Sequence, residues 1–257
     1  VLRRIAPALA AATLLLAACG GTGAPELTDP KEIVTQGLDA MNEVDSVHLA
    51  VTLDGTASIP DMGGEMNLSG TELSGDIDIA NEQGHLEFSV PAMLGLSGEM
   101  IQIGTDSYVR TSMTGELWSK STATEDDPVA GAMDPTEQLD QVREFLDEEG
   151  VEVEKLDDAE CGDETCYAIR LTIPAELLSQ AAEGEDVDLG ELVGEALVLN
   201  LLFDRDDRWL TQASTSISAE SLGELTLTLT LSEFNEPVEV EAPPADQVTE
   251  GGEGLPF

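Results

Sequence analysis

Few residues in this 257-residue chain have types and spacing suited to chemistry. The two histidines, His48 and His85, each sit in an alternating strand pattern, which predicts cross-strand surface positions rather than a catalytic base or a metal ligand. Asp204-Arg205-Asp206-Asp207 has the acidity of a calcium loop, but it lacks the regular ligand spacing and the distal glutamate, so it reads as a hairpin turn. The chain carries no G-x-S-x-G nucleophile elbow and no phosphate-binding glycine loop. Among 53 acidic residues, no pair is singled out for glycoside hydrolysis. Cys161 and Cys166 are not spaced as C-x-x-C, and the intervening Asp163 and Glu164 disfavour a reactive thiolate. A structural disulfide closing a hairpin is therefore expected between them. The sequence predicts no enzyme, no catalytic residue, no metal site and no cofactor.

Cys19 has different surroundings. The chain starts Val1-Leu2-Arg3-Arg4, continues with apolar and small residues from Ile5 to Ala18, and reaches Cys19-Gly20. A basic start followed by a short apolar run has the layout of an export signal, and the run is too short for a permanent membrane span. Leu16-Ala17-Ala18-Cys19 matches the bacterial lipobox, in which the cysteine thiol receives a diacylglyceryl group, the signal is cut just before it, and the new amino group is acylated. Each buried methylene contributes about 0.8 kcal/mol, so two or three acyl chains such as palmitate hold a protein firmly at a membrane. Residues 1–18 are thus expected to be a signal peptide and Cys19 the lipidation site. Residues 19–28 form a linker of mostly small residues, with a reach of roughly 17 Å. The expected location is extracytoplasmic, anchored to the outer face of the cell membrane.

The elements that such an anchor would hold are written in the periodicity. Asp29-Pro30-Lys31-Glu32 is a helix start, with Asp29 as cap and Pro30 at the first position, and Ile33, Val34, Leu38, Met41 and Val44 recur at helical spacing. Alternating strands follow on Val47–Leu53, Leu73–Ile79, Leu86–Val90 and Ile101–Ile103, then Tyr108–Arg110 and Leu117–Ser119 bracket a hairpin at Thr114-Gly115. A second helix start at Asp134-Pro135 leads into Leu139, Val142, Phe145 and Leu146. Val151–Leu156 and Tyr167–Ile173 read as strands, Leu177-Leu178 as a short helix after Pro174, and 186–195 as another. The chain ends in β structure on Leu197–Phe203, Trp209–Ser218 and Leu225–Leu231, and residues 245–257 are expected to be a disordered tail. The order predicts one α+β domain over 29–244.

The net charge is −43, spread along the chain, which leaves too few cations for nucleic-acid binding or for docking a basic patch on anionic headgroups. Aromatics make up only 4% of residues, so any core or pocket is aliphatic. A long sheet that is apolar on one face must curl, stack or carry helices on that face. Short helices laid across a wide sheet need not fill the space beneath them: where they do, the core is fully packed, and where they do not, an aliphatic cavity suited to acyl chains is the result.

The sequence resembles the LppX/LprG (LppX_LprAFG) lipoprotein family of actinobacteria, within the LolA/LolB-like superfamily. The resemblance rests on the lipobox, on the first helix leading into Ser46-Val47-His48-Leu49, and on Tyr108-Val109-Arg110 with Gly115-Glu116-Leu117-Trp118. It continues through Cys166-Tyr167, Leu171-Thr172-Ile173-Pro174-Ala175-Glu176-Leu177-Leu178, Leu229-Thr230-Leu231-Ser232-Glu233-Phe234, Pro237-Val238-Glu239-Val240 and Pro243-Pro244. It implies a strongly curved antiparallel β half-barrel with helices packed over its concave face. It also implies an apolar cavity that binds lipids or acylated glycolipids and a monomeric carrier that moves them between envelope layers. The candidate lining is Met93, Leu139, Val142, Phe145, Leu146, Leu177, Leu178, Leu197, Leu199 and Leu201. The alternative is a signalling or protein-interaction module of the same fold, like the periplasmic stress sensors of the superfamily. The extreme acidity departs from the family pattern: Arg110, Arg143 and Arg170 are the obvious internal cations for an anionic cargo.

Overall fold

The computed structural model describes residues 26–250 except 60–63, 123–138, 140–141, 163, 182–192 and 220–222. The expected signal peptide and Cys19, the helix start at Asp134 and most of the helix expected at 186–195 lie outside the described residues.

Helix α1 (Pro30–Met41) begins as its sequence dictates: the Asp29 carboxylate accepts a hydrogen bond from the Glu32 amide at 3.0 Å, and Pro30 fills the first turn. Glu32 does not reach back to the cap, and its side chain accepts from Gln36 one turn on. The helix stops at Met41, and Val44, expected as its last apolar position, packs from the turn that follows.

The strands are β1 (Ser46–Ile59), β2 (Gly64–Asn67), β3 (Thr71–Asp78), β4 (Gln83–Val90), β5 (Leu96–Ile103), β6 (Asp106–Thr111) and β7 (Trp118–Thr122), then β8 (Glu152–Lys155), β9 (Ala159–Cys161) and β10 (Glu164–Pro174). After α2 (Ala175–Ala181) come β11 (Ala196–Asp204), β12 (Leu210–Ala219), β13 (Gly223–Ser232) and β14 (Val248–Glu250). Residues 142–145 are helical. The strands form one sheet in the order β14-β7-β6-β5-β4-β3-β1-β13-β12-β11-β10-β8, with β2 added to β1 and β9 to β10. Every pairing is antiparallel except β14 with β7. The two ends of this order do not pair, so the sheet curls without closing, and the α+β half-barrel expected from the sequence is the fold.

The end of the chain departs from expectation. Residues 245–250 are not a disordered tail: Val248–Glu250 run parallel to β7, and the Trp118 amide donates to the Gln247 carbonyl at 2.8 Å. Val240 and Val248 pack on Ile101, Tyr108 and Trp118. The unpaired edge of β7 and this aromatic cluster supply partners that a charge-rich composition conceals.

Candidate functional site

Strand register decides which side chains share a face. Leu171 lies opposite Leu199, Leu199 opposite Thr215, Thr215 opposite Leu227, and Leu227 opposite Leu53. One step along, the row reads Ile169, Leu201, Ala213, Leu229, Val51, Leu73 and Phe88. The next reads Leu231, Leu49, Gly75, Leu86, Met100 and Val109. One face is therefore mainly aliphatic across the nine strands from β10 to β6, as the Leu-x-Leu alternation requires.

That face is covered unevenly. Over β10 and β11, Ile33, Val34 and Leu38 of α1 join Leu146, Leu178, Tyr167, Ile169, Leu171, Leu201 and Phe203 in a buried cluster. Gly37 lets the helix approach: a Cβ there would stand 2.3 Å from the Phe203 ring. A second cluster joins Met41, Val44 and Val47 to Ile77, Leu86 and Met100. Between them, Val51, Leu53, Ile217, Leu225, Leu227 and Leu229 belong to none of the described clusters. They are half-buried, except Leu227, which is 40% exposed. Among them sits Thr215, buried, with a hydroxyl that has no hydrogen-bond partner. Among the described residues, this stretch is an aliphatic surface that belongs to neither of the two packed cores beside it.

Nine of the ten candidate lining residues come together in or against the first cluster. Leu146, Leu178 and Leu201 are buried in it, and Leu139, Val142, Phe145, Leu177, Leu197 and Leu199 pack on it. Met93 sits apart, in the turn between β4 and β5. The half-exposed residues of β1 and β13 were not singled out from sequence, although their alternation was plain, because periodicity gives a side chain's face and not what covers it.

Several charged groups away from this stretch pair with one another. His48 Nδ1 lies 2.7 Å from Asp76 across the β1–β3 pair, and His85 lies 3.7 Å from Glu99. His48, Asp76 and Glu233 each offer a ligand atom within 4.8 Å of the others, the one such metal-competent group among the described residues. Arg110 pairs with Glu99 at 2.5 Å and stacks over Trp118, Arg170 pairs with Glu154 at 3.4 Å, and Arg143 with Asp39 at 2.9 Å. The three expected cations are thus engaged with the chain's own acids.

Cys161 and Cys166 form the expected disulfide across the β9–β10 hairpin, with Cα atoms 5.9 Å apart. Asp204 makes the expected turn by accepting from the Asp206 and Asp207 amides. The Glu164 carboxyl is held above its ordinary pKa by a hydrogen bond to Asp204 and by repulsion from Asp204, Asp206 and Asp207. Nearby, Arg205 pairs with Glu26 at 3.3 Å and Asp158 at 3.1 Å, and the Leu27 amide donates to the Tyr167 hydroxyl at 2.9 Å. These contacts fasten the point where the chain enters the domain. No helix among the described residues is long and apolar enough to cross a membrane.

An open, curled, almost wholly antiparallel sheet with a helix across one end of its aliphatic face defines the fold class, an α+β half-barrel. Two solved structures share it. Lipoprotein LppX of Mycobacterium tuberculosis matches at 20% identity and a TM-score of 0.51, over 83% of this chain and 100% of its own. LprF of Mycobacterium bovis matches at 16% identity and a TM-score of 0.54, over 87% of this chain and 99% of its own. The fold implied by the sequence resemblance is therefore the fold observed. The MucA/MucB complex of Pseudomonas aeruginosa matches at 10% identity over 86% of this chain and 60% of that one, with a TM-score of 0.37, which carries no argument. No protein-family model and no curated relative matches the sequence.

Proposed function

We propose that this protein is a non-enzymatic, monomeric lipoprotein, anchored through Cys19 at the outer face of the cell membrane, that binds a lipid or acylated glycolipid and carries it between layers of the envelope. The observation that carries this reading is the aliphatic stretch of Val51, Leu53, Ile217, Leu225, Leu227 and Leu229, left half-exposed between two packed cores. Leaving it in water forgoes roughly 25 cal/mol per Å² of apolar surface, and an acyl chain laid along it recovers that energy. The shared fold of LppX and LprF supports the reading, as does the lipobox.

Native mass spectrometry with organic extraction tests it, on a chain starting near Ala24 and produced in its own host. A stoichiometric adduct that extracts as an acylated lipid is expected. Leu227→Asp should lose the adduct and stay folded, because Leu227 belongs to no core cluster. A clean apo mass with no uptake of added lipid would sink the carrier reading and leave a protein-interaction module as the better account.

A further inference from the structure

We infer that the two hairpin tips at 91–95 and 112–117 form a membrane-contacting edge that docks on a lipid bilayer surface. This goes beyond the carrier reading and does not depend on it.

The tips are neighbours. The β5–β6 hairpin joins them, and the start of β5 is tied to the end of β6: the Ser112 amide donates to the Ser97 carbonyl at 2.7 Å, and the Ser97 amide to the Ser112 hydroxyl at 3.3 Å. They carry the most exposed large apolar side chains among the described residues: Leu94 is fully exposed, Met113 70% and Leu117 50%. Leu94 is also held at φ +57°, a left-handed conformation that favours Gly or Asn and costs a branched apolar residue about 1 kcal/mol. The turn thus places an apolar residue in water, on a strained backbone, with no contact inside the chain that requires it.

Charge selects the occupant. From Phe88 to Gly98 the sequence has no charged residue, and the second tip has only Glu116, in a chain of net charge −43. A protein partner for the rest of this surface would have to be basic; apart from Glu116, these tips offer apolar and small neutral groups, which suit the acyl boundary of a bilayer. Position agrees. The tips stand at the end of the sheet where Ser89 pairs with Ser97, whereas Leu27 enters at the opposite end, beside Tyr167. An eight-residue strand such as β5 separates those ends by roughly 26 Å. The tips therefore point away from the entry point, and they flank the end of the aliphatic face that α1 leaves open.

Vesicle flotation tests this with the chain from Ala24 to Phe257, which keeps the whole described sheet and all three clusters. The chain should float with neutral phosphatidylcholine vesicles and continue to do so at about 0.5 M salt, where charge contacts are screened. Leu94→Asp with Met113→Asp should lower the partition coefficient on the order of tenfold or more, with an unchanged melting temperature. In Leu94→Trp, lipids brominated on their acyl chains should quench the new fluorescence. Absence of flotation, flotation indifferent to the double substitution, binding abolished by salt, or an unquenched Trp would each overturn the proposal. Because none of these readouts involves a bound cargo, their failure leaves the carrier reading standing, and an empty cavity leaves this one standing.

Discussion

Glu164 shows how a turn can hold stored repulsion. Its carboxyl is raised above the ordinary value by a hydrogen bond to Asp204 and by the negative charge of Asp204, Asp206 and Asp207. The folded chain therefore binds a proton more tightly at this site than the unfolded chain does. Its contribution to stability is complete below the unfolded value of about 4.5 and is lost as pH rises through the raised folded value. Glu164→Gln should flatten that part of the pH–melting curve and leave the variant the more stable at neutral pH. Parallel thermal melts from pH 4 to pH 7, about one unit apart, read this directly; identical profiles would exclude the effect. Asp204 itself is spoken for by two backbone amides, which is why the acidic turn looks like a calcium loop in sequence and acts as a hairpin.

Among the elements, α1 governs the molecule's asymmetry, because it closes one end of the aliphatic face and leaves the other. Gly37→Ala tests the closeness of that contact. The added methyl would meet the Phe203 ring at 2.3 Å and the Arg208 carbonyl oxygen at 3.3 Å, and Phe203 is buried and has nowhere to move. A loss of about 1–3 kcal/mol is expected in urea denaturation, the usual result of overpacking. Most of this was legible in the sequence. Asp29-Pro30 started α1, alternation found β1, β3, β4 and β10 to β13, and the Cys161–Cys166 hairpin was read correctly. Three short strands were not read. β2, β9 and β14 have three or four residues each, too few for a period to show. The candidate site was half legible for a related reason. Leu199, Leu201 and Leu227 look alike in sequence, and only the packing of α1 and residues 142–146 separates the buried from the open.

At the scale of the whole molecule, the sheet ends on one side in β14, contributed by the last described residues of the chain. Truncation after Pro244 would remove β14 and strip Val248 from Trp118, Tyr108 and Ile101. A lowered melting temperature and concentration-dependent self-association are expected, seen by calorimetry and light scattering; a monomeric truncation with an unchanged melt would show the strand to be dispensable.

That parallel pairing also sets an order of events. Thr249 reaches back to the Trp118 carbonyl across 131 residues of sequence. While the polypeptide is being made, β7 must therefore wait with a bare edge until Val248–Glu250 have been added. Until then the nascent chain displays a template on which another copy could nucleate. Chains that stop short of Val248 are then the dangerous ones, and a stop codon ahead of it would be an aggregation defect before it was a binding defect.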